Sequence, residues 1–252
     1  MLAQWIGGEV FAFLLLLARF SAMLTLMPAL GETIIPARVR VGLAVILAFI
    51  LLPSLAPGLP ALPASLLGLI GVVLGEIAIG LFVGVILRLM TSALNLAGSV
   101  IALQSGLAAA QTFDPTQGTQ SAVVARFFTV VGTVVIFAAD LHLMIIKAMA
   151  YSYVLFPAGK VPLIGDASAS ITQVVAGSFA IGLSMAAPFL VYGIVFNIAL
   201  GLLARLMPQL PVFFVAMPAN IFLAFTILMF TLSAMMLVFA SYFEEGVARF
   251  LG

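Results

Sequence analysis

Six runs of apolar residues limit what this chain can fold into more than any other feature. They cover roughly 9–30, 39–59, 64–104, 123–156, 171–204 and 212–243. Each reaches the ~20 apolar residues that a helix needs to cross the hydrocarbon core of a bilayer. A soluble fold is excluded by what is left over. Hydrophobic residues make up 65% of the 252 and charged residues 7%, whereas a soluble domain carries about 45–50% and about 25%. Nine Lys and Arg with eight Asp and Glu cannot clothe a water-exposed surface, but a bilayer removes that need because lipid solvates the outside of a helical bundle. The chain reads as an all-α membrane protein.

The runs are separated by turn-forming stretches: Gly31–Arg40, the prolines 53, 57, 60 and 63, Ser105–Ala122, Pro157–Ser170 and Arg205–Pro211. The third run is too long for one crossing, since 41 residues of helix extend about 60 Å. Asn95 and Gly98 are the places where it is expected to break. The fourth and fifth runs are also overlong, which predicts long, broken helical hairpins rather than plain spans. Two glycine pairs, Gly71 with Gly75 and Gly80 with Gly84, have the spacing that lets helix backbones approach closely. Arg38, Arg40, Arg126 and Arg205 fall on one side of a six-segment arrangement, and Lys160 and Arg249 on the other. That bias points the first side to the cytoplasm and both termini outward.

Several function classes drop out. A net charge of +1 gives no basic field for nucleic acid. With no cysteine and the single histidine His142, neither a thiolate nor a multi-histidine metal site can form within one chain. Paired catalytic carboxylates and Ser/His arrangements are missing, so no enzyme chemistry, metal or cofactor is expected. Before the first run there is no Lys or Arg, and Glu9 occupies the place of a basic n-region. The run is therefore read as a retained membrane segment, not a cleaved signal.

Charges inside apolar runs cost at least ~2.5–3.5 kcal/mol each on insertion scales. Arg19, Glu76, Arg88, Arg126, Asp140, His142 and Lys147 are thus the candidate buried charged or polar residues. Glu76 and Arg88 are twelve residues apart and cannot share the midplane of one straight helix. Asp140 and Lys147 lie near one helical face but about 10 Å apart along the axis, so their partners are expected on other helices or other chains. An ion or proton pathway is the sharper reading of such residues, and structural pairing within an assembly is the plainer one.

Two stretches are unlike the rest. Gln104 to Gln120 carries two Gly, one Pro, four Gln and one Asp between strongly apolar neighbours. Asp114-Pro115 favours a turn, Gly106 and Gly118 permit tight backbone paths, and the amide and hydroxyl side chains can satisfy backbone groups that leave helical pairing. A buried re-entrant or pore-lining loop needs these features; an exposed connecting loop is the alternative. Further on, Asn197 to Pro218 reads as a helix end, a tight turn at Pro208-Gln209-Leu210-Pro211 and a new helix, together a stiff antiparallel hairpin.

Together these stretches carry a resemblance. Gln104-Ser105-Gly106 with Phe113-Asp114-Pro115 and Gly118, followed by Asn197, Gly201, Arg205, Pro208-Gln209 and Val212-Phe213, resemble the FliR family of flagellar export-gate proteins. The SctT proteins of virulence type III secretion are relatives of that family. Arg19, Pro28 and the Ile35-Pro36 to Arg40 run add to the likeness, which covers nearly the whole chain. One departure is Pro211, where the family usually has Asn.

The resemblance implies a core subunit of the export gate in the bacterial inner membrane at the flagellar basal body. Residues 1–160 would be a FliP-like part and 161–252 a FliQ-like helical hairpin of one membrane domain. It also implies a hetero-oligomeric ring with FliP-like and FliQ-like membrane proteins, FlhB-like and FlhA-like export components nearby, lipid outside, and exported unfolded flagellar proteins passing through. In that picture Gln104, Ser105, Gly106, Phe113, Asp114, Pro115, Gly118 and Gln120 belong to a pore plug, with Phe113 as its apolar stopper. Asn197, Gly201, Arg205, Pro208, Gln209, Pro211 and Phe213 form the hairpin turn and subunit packing. The competing readings are a virulence-type gate subunit and, from a different class, a small-solute transporter using Glu76, Asp140, His142 and Lys147.

Overall fold

The structure, a computed structural model, describes residues 2–32, 35–107, 120–159, 164–209 and 212–251. Seven α-helices account for nearly all of them: α1 (Leu2–Leu26), α2 (Ala37–Leu55), α3 (Leu66–Gln104), α4 (Gln120–Ala138), α5 (Leu141–Leu155), α6 (Ile164–Leu206) and α7 (Val212–Ala248). A short 3₁₀ turn, Ala56–Gly58, follows α2. No strand occurs among the described residues. Five helices there are long and apolar enough to cross a membrane, and six crossings result if α4 and α5 count together as one broken span. The chain is an all-α membrane protein.

By packing, the chain divides into two units. The first comprises Met1–Met90, Asp140–Val175 and Glu244–Gly252, and the second Thr91–Ala139 and Ala176–Phe243. In the first, Gly80 lies against the backbone of Arg19 and Gly84 against Met23 and Leu26. Contact positions rise together along α1 and α3, so these helices run parallel. Of the two glycine pairs, only Gly80/Gly84 admits a neighbour; Gly71 and Gly75 face open space. Leu15, Leu16, Phe20, Met23, Ile79 and Val83 fill the core there.

In the second unit, the C-terminal half of α3 pairs with α4. Gly98 touches the backbone of Ala125, and the Thr129 hydroxyl donates to Asn95 Oδ1 at 3.1 Å. Here the expected break at Asn95 and Gly98 is corrected: α3 is continuous over 39 residues. The missing Cβ of Gly98 admits another helix and the Asn95 amide is met by Thr129, so neither residue has to leave helical pairing. The fifth apolar run is likewise one continuous helix of 43 residues that includes Pro188. The fourth run does break, at Ala139 and Asp140. Asp140 takes a left-handed φ of 56°, a conformation that Asp tolerates better than most residues.

α6 and α7 form an antiparallel hairpin. The Ser178 and Tyr242 hydroxyls lie 2.9 Å apart, and Tyr192 donates to Asn220 Oδ1 at 2.7 Å. As the first residue of each pair advances the second retreats, which converges on a turn after Leu206. Pro208 and Gln209 occupy that turn, while Leu210 and Pro211 lie outside the described residues.

Large apolar side chains stay uncovered by the chain itself. Phe49 is 70% exposed, Phe222 72% and Phe230 75%. In water such faces would drive aggregation, so they call for lipid or neighbouring chains.

Candidate functional site

Two polar nodes stand out in the apolar interior, one in each unit. The first centres on Arg19 of α1, which is fully buried together with Glu76 of α3. Arg19 Nε donates to Glu76 Oε2 at 2.7 Å and Nη2 to Oε1 at 3.0 Å, the bidentate geometry that suits a guanidinium and a carboxylate. Nη1 donates to the carbonyl oxygen of Ser152 at 3.1 Å and to its Oγ at 3.3 Å, and Nη2 also reaches the Phe156 carbonyl at 3.0 Å. All five guanidinium N–H groups are thereby used.

The Tyr153 ring covers the guanidinium, 3.7 Å from its carbon to the ring centroid. Ser152 and Phe156 lie at the C-terminal end of α5, where a helix leaves carbonyls unpaired and its dipole is negative. Arg19 therefore caps α5 while neutralising Glu76, and ties three helices together.

The second node lies at the C-terminal end of α3. Ser105 is buried, its N–H bonded to the Ile101 carbonyl at 2.9 Å and its Oγ donating to the Ala102 carbonyl at 3.0 Å. Gly106 turns the chain with a φ of 76°, the left-handed region that glycine enters without steric cost. Asn220 of α7 donates from Nδ2 to the Gln104 carbonyl at 3.3 Å, and Tyr192 of α6 donates to Asn220 Oδ1. The Gln104 side chain packs on Gly193 of α6. Beside this stem is an apolar cavity of about 220 Å³ lined by residues that include Ile101, Leu107, Val124, Phe127 and Leu228.

The structure distributes the sequence candidates unevenly. Arg19 and Glu76 meet each other. Arg88, Arg126, Asp140 and Lys147, expected to be buried, are exposed on the chain, and His142 is half-buried. These four sit on helix faces or at the α4–α5 break that the chain leaves open, so nothing within it desolvates them. Asp140 and Lys147 do not share a helix, because Asp140 precedes α5.

Of the plug candidates, Gln104, Ser105 and Gly106 form the described stem. Phe113, Asp114, Pro115 and Gly118 lie outside the described residues, and Gln120 begins α4. Asn197, Gly201 and Arg205 line exposed faces of α6; Asn197 Nδ2 donates to the Gly193 carbonyl at 2.8 Å, and Arg205 stands in the last turn, where its charge suits the helix dipole. Phe213 lies in the first turn of α7.

Sequence reasoning missed Ser152, Tyr153, Tyr192 and Asn220. Asn220 left a usable signal, as the first polar side chain between Gln209 and Thr226. Among the described residues no group of His, Asp and Glu could hold a metal ion.

Known proteins give this arrangement a family. The model of bacterial export proteins, family 1, matches residues 10–246. The flagellar biosynthetic protein FliR of Caulobacter vibrioides is 38% identical over 237 residues, covering 94% of each chain. Its namesake in Escherichia coli K12 is 30% identical over 244 residues, 96% of this chain and 90% of that one. A more distant relative is the Yop proteins translocation protein T of Yersinia pestis, 28% identical over 86% of this chain and 84% of that protein. The chain belongs to family 1 of the bacterial export proteins, the FliR family.

Proposed function

We propose that this chain is a structural core subunit of the flagellar type III export gate in the bacterial cell membrane, helping to form and close the pore through which unfolded flagellar subunits pass. The observation that carries the reading is the family match along residues 10–246. Membership of an export apparatus follows from that match, and a membrane location from the long apolar helices. The partners in this reading are FliP-like and FliQ-like membrane proteins, with FlhB-like and FlhA-like components beside them.

Uncovered apolar side chains such as Phe49, Phe222 and Phe230 support an assembled role. So do exposed charges within apolar runs, Arg126 and Lys147, which need polar partners once a bilayer surrounds the chain. The stretch from Gln104 to Gln120 is the proposed barrier of the resting pore; the glycine turn and satisfied backbone at its described end suit a segment that leaves a helix inside a membrane. The likeness to a Yersinia translocation protein keeps a virulence-type gate as a second reading.

Deleting the gene tests the function. Flagellar subunits should no longer reach the medium, and the intact gene supplied in trans should restore them. Undiminished flagellar secretion by the deletion strain would remove the flagellar reading, and loss of a virulence-type secretion instead would favour the alternative.

A further inference from the structure

The C-terminal end of α3 is held by side chains of two other helices, and the way they interlock suggests a purpose. Gln104 carries one of the last four carbonyls of α3, groups that a helix leaves without a partner of its own. Asn220 Nδ2 supplies one at 3.3 Å. An amide can present either its donor or its acceptor; the Gln104 carbonyl can only accept, so the NH₂ group faces it, and the Tyr192 hydroxyl donates to the remaining Asn220 Oδ1 at 2.7 Å and anchors the amide there. Gly106 adds a steric constraint. Its φ of 76° excludes most side chains, and a Cβ there would stand 2.9 Å from Asn220 Nδ2. On the other flank the Gln104 side chain fills the space left open by Gly193. Every group in this clamp is neutral, so opening it strands no charge.

We propose that Asn220 is a positioning residue for the closed pore. With Tyr192 anchoring its amide, it clamps the Gln104–Gly106 turn, so that the polar stretch beyond starts from a fixed point. The inference rests on the barrier reading of that stretch. Weakening the clamp leaves the fold and the assembly in place but lets the barrier shift, and the resting complex then leaks ions.

The test uses the complete complex, purified from its native membrane through a tag on this chain and reconstituted in planar lipid bilayers. Asn220→Asp keeps the acceptor for Tyr192 but turns a carboxylate oxygen toward the Gln104 carbonyl. Tyr192→Phe keeps the ring that packs on Phe196, with centroids 5.5 Å apart, and removes only the anchoring hydroxyl. A control complex has residues 113–118 replaced by glycine.

The expected result is normal subunit composition for both point variants, with ion-conducting activity raised about tenfold by Asn220→Asp, the equivalent of one lost hydrogen bond, and raised less by Tyr192→Phe. If both variants assemble and stay sealed while the glycine control conducts, the clamp is overturned and the barrier reading stands. If the glycine control is sealed as well, the barrier reading falls and the clamp with it. Should Asn220→Asp fail to assemble, conductance of the Tyr192→Phe complex decides. Failure of both to assemble overturns the proposal, because it makes these residues part of the scaffold.

Discussion

Two helix ends in this molecule are capped from neighbouring helices, by different chemistry. The C-terminus of α5 is held by Arg19, a full charge that is buried, bidentate with Glu76 and without a spare N–H. The C-terminus of α3 is held by Asn220, a neutral amide with a single bond to the Gln104 carbonyl. The charged cap is all-or-none, because removing either partner leaves an uncompensated charge in an apolar interior. The neutral cap can be undone for roughly 0.5–1.5 kcal/mol. The strong device joins α1, α3 and α5, and the weak one stands at the base of the stretch proposed as the barrier. The same task, satisfying carbonyls that a helix abandons, is met once by a buried ion pair and once by a neutral amide.

The largest effect should come from splitting the charged cap. Glu76→Gln or Arg19→Met alone should cost about 3–5 kcal/mol and empty the membrane of folded chain, read as loss of detergent-stable protein. Replacing both residues by apolar ones should recover much of that loss; a double variant as poor as either single one would show that the pair is not acting as a unit. Next is Gly98→Leu, which forces a side chain into the backbone of Ala125. Overpacking of this kind costs about 1–3 kcal/mol and should lower the melting temperature of the purified chain. Gly71→Leu, facing open space in the isolated chain, is the matched control and should leave that temperature unchanged.

Smaller still are the clamp variants, whose effect should appear in conductance and not in yield. Last come the exposed charges. Lys147→Ala should not move the melting temperature of the chain alone, since nothing in the chain buries Lys147. In the assembled complex the same change should reduce subunit association if a partner covers it, which co-purification would reveal.

Much of this was legible in the sequence, for physical reasons that also mark where legibility ended. Apolar runs of spanning length forecast the helices, because a bilayer leaves few other ways to satisfy a backbone. Arg19 and Glu76 were marked as costly charges, but their pairing across 57 positions depends on α1 and α3 packing in parallel through Gly80 and Gly84. No local pattern encodes that. Asn95 and Gly98 were misread as breakers because the residues that end helices are also those that let a second helix approach. Tyr192 and Asn220 escaped notice, since a lone amide and a lone phenol become a clamp only when a hairpin and a helix end bring them together. Arg88, Arg126, Asp140 and Lys147 were read as costly charges in need of relief, with other helices and other chains both open as its source. These residues are exposed on the chain.

One measurement bears most directly on whether the open faces belong to an assembly: the mass and composition of the tagged chain after gentle purification from its native membrane. The expected result is a stable particle several times the 26.4 kDa of the chain, containing this chain with FliP-like and FliQ-like membrane proteins. A monodisperse monomer in detergent, carrying no partner under conditions that preserve other membrane complexes, would contradict it.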